Sequence, residues 1–296
     1  MRILLIYNPA AGNGKADHSL EKVKDELKRK KISADIYKTD YSGHAVEIIG
    51  TKDLSKYDGV IAAGGDGTIF EVINGYYSNG GNEKPPIGII PVGTGNAFVR
   101  DIGLNTGDWK TAIKIISNNN IKDVDVGKFD VNGSNYYFLN IIGVGFVADV
   151  NNIAQKLKVL GNLSYSIGVM YKMIFLKSYN VLLDLDGKKI ERENIFIEVS
   201  NTRYTSNFLM APTAEIDDGL LDVTLLNKIS RKRMLQCFPK IFTGEHVNMD
   251  EVETFKVKKL SINTGIPKEL TPDGEMFGTT PLNVECLEKD VKVFWK

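Results

Sequence analysis

The stretch Gly59-Val60-Ile61-Ala62-Ala63-Gly64-Gly65-Asp66-Gly67-Thr68-Ile69-Phe70-Glu71 decides the fold class. An apolar run (Gly59–Ala63) enters a glycine cluster directly and is followed by a second apolar segment. That order reads as a buried strand, a tight loop and a helix over Thr68–Tyr77. Glycines accept positive φ and, having no Cβ, let an anion approach the backbone closely. Thr68 and Glu71 have the spacing of a capping box, which would start the helix at Thr68 and aim its free N–H groups at the loop. An acidic residue among glycines is more than a plain turn requires.

Outward from this centre the same pattern repeats. Arg2–Tyr7 is an apolar strand running into Asn8-Pro9-Ala10-Ala11-Gly12-Asn13-Gly14-Lys15. His18–Lys31 has a helical stripe of Leu20, Val23 and Leu27. Ala34–Lys38 is a strand ending at Thr39, and Ala45–Gly50 is helical. Ile87–Val92 runs into Pro91-Val92-Gly93-Thr94-Gly95-Asn96, with a helix over Asn96–Asp101. Alternating strands and helices predict a mostly parallel sheet covered on both faces, with ligands at the carboxyl ends of its strands. Three glycine loops on one such edge predict a nucleotide pocket.

Beyond about Ile121 the texture changes to short β-rich runs: Val124–Asp130, Tyr136–Ile142, Val181–Leu185, Ile195–Ser200, Leu221–Leu226, Phe255–Ile262 and Asn283–Cys286. They predict an antiparallel second domain, a sandwich, interrupted by one helix over Leu163–Leu176. The Asn/Lys-rich Ser117–Lys122 marks the junction. The domains are therefore 1–122 and 123–296, with the last strand free to return to the first. An exposed sandwich edge would allow a homodimer.

Composition narrows the function. The chain has 296 residues, 43% hydrophobic and 25% charged, and no apolar run long enough to span a bilayer. The N-terminal apolar run is too short for a signal-peptide core, and Cys237 and Cys286 are too few for a disulfide framework, so a cytoplasmic protein is expected. Lys plus Arg (37) equals Asp plus Glu (37), which leaves no field to hold nucleic acid. Arg231-Lys232-Arg233 and Lys256/Lys258-Lys259 are candidate basic patches for an anionic membrane, although solvated charge is the commoner reading of such clusters. Other nucleotide motifs fail. A Walker A loop would need Gly where Pro9 stands and Ser or Thr where Ala16 stands. Gly143-Val144-Gly145-Phe146-Val147-Ala148 lacks the acidic residue that a dinucleotide fingerprint needs further on. The histidines His18, His44 and His246 are scattered.

Asn8-Pro9-Ala10-Ala11-Gly12, the segment Gly64-Gly65-Asp66-Gly67-Thr68-Ile69-Phe70-Glu71-Val72-Ile73-Asn74-Gly75, and Pro91-Val92-Gly93-Thr94-Gly95-Asn96-Ala97-Phe98 resemble the diacylglycerol kinase catalytic family. The nearest branch is the soluble bacterial lipid kinases, akin to sphingosine and ceramide kinases and distantly to NAD kinase. The resemblance covers nearly the whole chain. It implies an α/β ATP domain of the NAD-kinase and phosphofructokinase kind, a C-terminal β-sandwich, and a lipid substrate, diacylglycerol or similar, met by peripheral membrane contact. ATP contacts would fall at Asn8–Gly12, Thr39, Gly64, Gly65, Asp66, Gly67, Thr68, Ile69, Phe70, Glu71, Thr94, Gly95 and Asn96.

Two acidic clusters follow. By spacing alone Asp217-Asp218-Gly219 is an ordinary turn. The resemblance makes it a magnesium segment, with Asp218, Glu215 and the Leu220 carbonyl as ligands and Asp217 next in line. Hard cations favour such oxygens. Where the family carries glycines before this segment, this chain has Ser206-Asn207-Phe208. Asp273-Gly274-Glu275 resembles the family's catalytic pair: the glycine would turn both carboxylates toward the nucleotide, Glu275 as general base and Asp273 orienting it or helping to position Mg-ATP. Gly161–Asn180 could line an acyl-chain groove, though apolar helices are more often core. The rival readings are an NAD kinase, a non-catalytic nucleotide sensor and a lipid-binding regulator.

Overall fold

The structure, a computed structural model, describes residues 1–12, 14, 16–81, 84–93, 96–145 and 177–296. The chain divides into two compact units, Met1–Val126 with Lys289–Lys296 and Gly127–Glu288.

In the first unit β1 (Arg2–Tyr7), α1 (Leu20–Arg29), β2 (Ser33–Lys38), α2 (His44–Gly50), β3 (Gly59–Gly64), α3 (Asp66–Ser78), β4 (Ile87–Pro91), α4 (Ala97–Asp101) and α5 (Trp109–Asn118) follow one another. Strands β4, β3, β1 and β2 lie side by side in that order, all parallel. Every residue of β3 and β4, and Ile3–Tyr7 of β1, is buried, as befits strands apolar on both faces. β2, half exposed, forms the edge. The pairs Tyr7↔Lys38, Tyr7↔Ala63 and Gly64↔Pro91 keep the carboxyl ends level, so the loops leaving them share one rim.

The second unit takes up β5 (Ile121–Val131) from Gly127 onward, then β6 (Ser134–Phe138), β7 (Ile141–Gly145), β8 (Tyr179–Leu185), β9 (Lys188–Ser200), β10 (Tyr204–Thr205), β11 (Phe208–Leu209) and β12 (Leu221–Asn227). After these come α6 (Arg231–Cys237), β13 (Val252–Val257), β14 (Lys259–Thr264), β15 (Leu270–Pro272) and β16 (Leu282–Phe294). Its ladders β5–β6, β7–β9, β7–β15, β8–β9, β8–β14, β9–β12, β10–β11, β12–β13 and β14–β16 are antiparallel. The two halves of β9 serve two ladders. Lys188–Asn194 pairs β8, which continues to β14 and β16, whereas Asn194–Ser200 lies between β12 and β7. The end of β16 returns to the first unit, where Val293 pairs with Ile87 of β4 in parallel.

The α/β and antiparallel-β architecture is as expected, with local corrections. Helix α3 begins at Asp66 with Gly65 as N-cap and no side-chain cap, so Thr68 and Glu71 do not form a capping box. Tyr136–Ile142 breaks between β6 and β7, and Phe255–Ile262 breaks at Lys258 because β13 joins β12 while β14 joins β8 and β16. Helices α5 and α6 were not foreseen. The helix expected over Leu163–Leu176 lies outside the described residues, as does all of the Gly161–Asn180 groove except Lys177–Asn180.

Candidate active site

At the shared rim of the first unit, glycine loops lie backbone against backbone. Gly93 N–H donates to the Gly64 carbonyl at 2.9 Å. A Cβ on Gly93 would stand 2.7 Å from Gly65 Cα, and one on Gly64 would stand 2.1 Å from Thr68 Oγ1. Neither site has room for a side chain. Asn8 ties the first loop to this centre: its Nδ2 donates to Thr68 Oγ1 at 3.0 Å, its N–H to the Ala63 carbonyl, and its Oδ1 accepts from Ala10 N–H. Ala11 N–H closes a turn onto the Asn8 carbonyl, and Gly12 has φ +63°, a conformation glycine enters without strain. Thr39 is buried, its N–H donating to the Tyr7 carbonyl at 2.9 Å.

The acidic residues of the central motif do something the sequence did not disclose. Asp66 accepts from Ala97 N–H through both oxygens, at 2.9 and 3.1 Å, and so caps α4. Burial pushes its pKa up to about 6, while the Ala97 and Phe98 N–H groups hold it lower than burial alone would. Glu71 accepts from Gly43 N–H at 2.7 Å and Ala45 N–H at 3.1 Å, at the N-terminus of α2. Each carboxylate thus serves another helix, where N-terminal N–H groups and the positive dipole end favour an anion. The start of α3 has no side-chain cap, and since Thr68 N–H donates to the Gly65 carbonyl at 3.0 Å, the Asp66 and Gly67 N–H groups are the donors this helix start offers an anionic ligand. Ile69 and Phe70 are buried core residues. Asn96 is buried and donates to the Gly93 carbonyl at 2.7 Å, which steadies the third loop. Thr94 and Gly95 lie outside the described residues.

In the second unit the two expected acidic clusters sit at the ends of one ladder. Lys256 pairs with Asp222, Asp222 with Ser200 and Ser200 with Ile141, across β13, β12, β9 and β7. Asp273 joins this row: its N–H donates to the Ile141 carbonyl, and its Oδ1 accepts from Asn140 N–H at 3.2 Å and Ile141 N–H at 2.9 Å. Asp273 (φ +46°) and Gly274 (φ +87°) form a tight turn closed by Glu275 N–H to the Pro272 carbonyl. The turn gives the two carboxylates, which the sequence leads one to expect facing one side, different surroundings. Asp273 is buried against the start of β7, whereas Glu275 is exposed.

At the other end, Asp218 Oδ2 meets Lys256 Nζ at 2.7 Å, and Asp222 reaches the same ammonium at 3.5 Å. Asp218 Oδ1 also accepts Leu220 N–H at 3.0 Å around Gly219 (φ +77°). Glu215 is exposed and Asp217 half-buried. Among the described residues no group of three or more His, Cys, Asp or Glu side chains is arranged to hold a metal. What the sequence took as a basic patch at Lys256 is thus an ion-paired centre, and Lys258 and Lys259 likewise face Glu288 and Glu285. Ser206, in the stretch where the resemblance leads one to expect glycines, adopts φ +54° between β10 and β11.

One residue on this face was not anticipated. Glu198 is 1% exposed, lies opposite Thr224 on one side and Gly143 on the other, and accepts from Thr205 Oγ1 at 2.6 Å and Ser200 Oγ at 3.2 Å. Burial pushes its pKa up to about 7, against the pull of those two hydroxyls. Its placement amid the otherwise apolar Ile195–Val199 was the only signal available.

Residues 2–129 match the sequence profile of the diacylglycerol kinase catalytic domain, and 140–295 match that of the YegS C-terminal NAD kinase beta sandwich-like domain. A diacylglycerol kinase of Bacillus subtilis is 31% identical over 95% of this chain and 91% of its own length. One from Mycobacterium tuberculosis is 29% identical over 99% and 94%. The crystal structure of a diacylglycerol kinase from Bacillus anthracis superposes with a TM-score of 0.74 at 26% identity, covering 100% of this chain and 97% of that one.

Proposed function

Because the chain belongs to the diacylglycerol kinase catalytic family and is a lipid kinase, we propose that it moves the γ-phosphate of ATP to the hydroxyl of diacylglycerol. The observation that carries this reading is the level rim of the first unit, where Gly64, Gly65 and Gly93 touch without side chains beside the uncapped start of α3. That rim suits phosphates approaching the backbone of Gly65–Thr68 and the Asn8–Gly12 turn, with Thr39 and Asn96 completing the described lining. Asp66 and Glu71 act one step back, fixing α4 and α2 around the loop.

Glu275 is the base of this proposal. Its exposed carboxylate takes the proton of the acceptor hydroxyl as that oxygen bonds to the γ-phosphorus. The bridging bond to ADP then breaks and ADP leaves. Asp273 positions the turn that carries Glu275, through its hold on Asn140 and Ile141. Magnesium fits the donor chemistry of the 215–220 segment, where carboxylates and main-chain carbonyls are hard oxygen ligands. Asp218, Glu215, Asp217 and the Leu220 carbonyl would hold it in place of the Lys256 ammonium that now meets Asp218. When bound there, it would act structurally, fixing this loop of the second unit.

The acceptor lives in a bilayer, and no helix among the described residues is long and apolar enough to cross one, so contact with the membrane is peripheral in this reading. The test offers radiolabelled ATP with diacylglycerol vesicles and with NAD in parallel. Label in phosphatidic acid is expected; label only in NADP would overturn the proposal.

A further inference from the structure

From Lys228 to Gly244 the chain carries five cations and no Asp or Glu, within a molecule of zero formal charge. This segment comprises α6 and the 3-10 turn Phe238–Phe242 that continues it. Its inner side is core: Met234 and Cys237 are buried in a cluster with Phe208, Met210 and Met249, and Phe238 and Ile241 pack against it. Its outer side is unusual. Leu235 is 56% exposed and Phe242 45%, and with exposed Pro239 they stand at helical spacing on one stripe. Arg231 and Lys232 are exposed at the head of that stripe and make no ion pair among the described residues, whereas Arg233 and Lys228 are engaged by Glu251 and Glu193. Phe242 packs edge-on, its ring 4.8 Å from that of Phe208 and 5.6 Å from that of Phe238.

We propose that the outer face of Arg231–Phe242 docks this protein onto an anionic phospholipid bilayer, Leu235 and Phe242 entering the interface while Arg231 and Lys232 meet headgroup phosphates. The inference rests on the lipid-kinase reading for its purpose, though not for its geometry. A short amphipathic face with cations on its rim binds anionic membranes by apolar burial plus charge attraction. The other basic stretch does not compete for the role, since Lys256, Lys258 and Lys259 are all ion-paired.

The experiment measures co-sedimentation of the full chain with phosphatidylcholine vesicles, with and without phosphatidylglycerol. Arg231→Glu/Lys232→Glu changes only exposed, unbonded side chains and should keep the melting temperature. Each cation near an anionic surface multiplies partitioning by roughly fivefold, so the double reversal should cut binding to the anionic vesicles by more than about twentyfold. Leu235→Ser/Phe242→Ser should weaken binding to both vesicle types. Wild-type binding should also fall as salt rises. Equal partitioning of wild type and charge-reversed variant, or no vesicle binding by the wild type, overturns the proposal. So does a dimer that the serine variant dissolves, which would assign the face to a second copy. Phosphorylation of a short-chain diacylglycerol dispersed as monomers in water is read separately and should be equal in both proteins. Its absence in the wild type would sink the kinase reading and leave the vesicle data to judge the surface.

Discussion

At the scale of single residues, Asp273 and Glu275 show how two neighbouring carboxylates take different tasks. Asp273 is buried and accepts two backbone N–H bonds, whereas Glu275 is exposed. Glu275→Gln should therefore abolish turnover while leaving ATP affinity and the melting temperature unchanged, because only the transition state loses its proton acceptor. Asp273→Ala should cost about 1–3 kcal/mol of stability, because it removes the one carboxylate oxygen that accepts both the Asn140 and the Ile141 N–H and leaves these buried donors unmet. Paired melting curves and single-turnover kinetics would show it, and an active Glu275→Gln enzyme would remove Glu275 from the mechanism. The identities of the glycines at the rim were legible in sequence, since an apolar run ending in Gly-Gly has few other uses. The tasks of Asp66 and Glu71 were not. Their partners Ala97 and Gly43 lie 31 and 28 residues away, and no local spacing announces a carboxylate that caps another helix.

At the scale of elements, α2 is a seven-residue helix whose N-terminal N–H groups are met by Glu71 rather than by its own cap residue, Gly43. Helices this short depend on tertiary support. Glu71→Ala should cost about 0.5–2 kcal/mol, the usual range for a lost cap, while Glu71→Gln, which keeps one acceptor oxygen, should cost less. Chemical denaturation of the two variants would check the order, and equal stability of both with the wild type would refute the cap. Elements became legible where a continuous apolar run ended in a turn or glycine signal, as in β1, β3 and β4, and failed where partner choice was tertiary. Nothing local at Lys258 signals that β13 and β14 belong to different neighbours. Helix α5 did carry a signal, with Ala112, Ile113 and Ile116 buried on one face and Asn119 left-handed at its end, but the polar residues that follow drew the reading toward a junction.

At the scale of the whole molecule, charges balance on paper, yet among the described residues burial holds three carboxyl groups above their usual range, Asp66 in the first unit and Glu198 and Asp222 in the second. Burial raises Asp66 to about 6 and Glu198 to about 7. A carboxyl whose folded pKa is raised binds its proton more tightly when folded. Its contribution to stability is therefore complete below the unfolded value and is lost as pH climbs through the folded one. For Glu198 that window runs from the ordinary glutamate range to about 7. A shift of this size corresponds to roughly 3 kcal/mol when fully lost. Buried His246 works in the opposite direction: burial lowers its pKa, so its contribution is lost on acidification. The two are separated by substitution. Glu198→Gln removes the titration but keeps an acceptor for Thr205 and Ser200, whereas His246 is unchanged in both proteins. The stability difference between Glu198→Gln and wild type should therefore shift in the variant's favour from about pH 5 to about pH 8, most steeply below neutrality. Denaturant midpoints collected across that range give the answer. A difference that stays constant with pH would mean that Glu198 is ionised in the folded chain throughout, and that Ser200 and Thr205 satisfy its charge despite its burial.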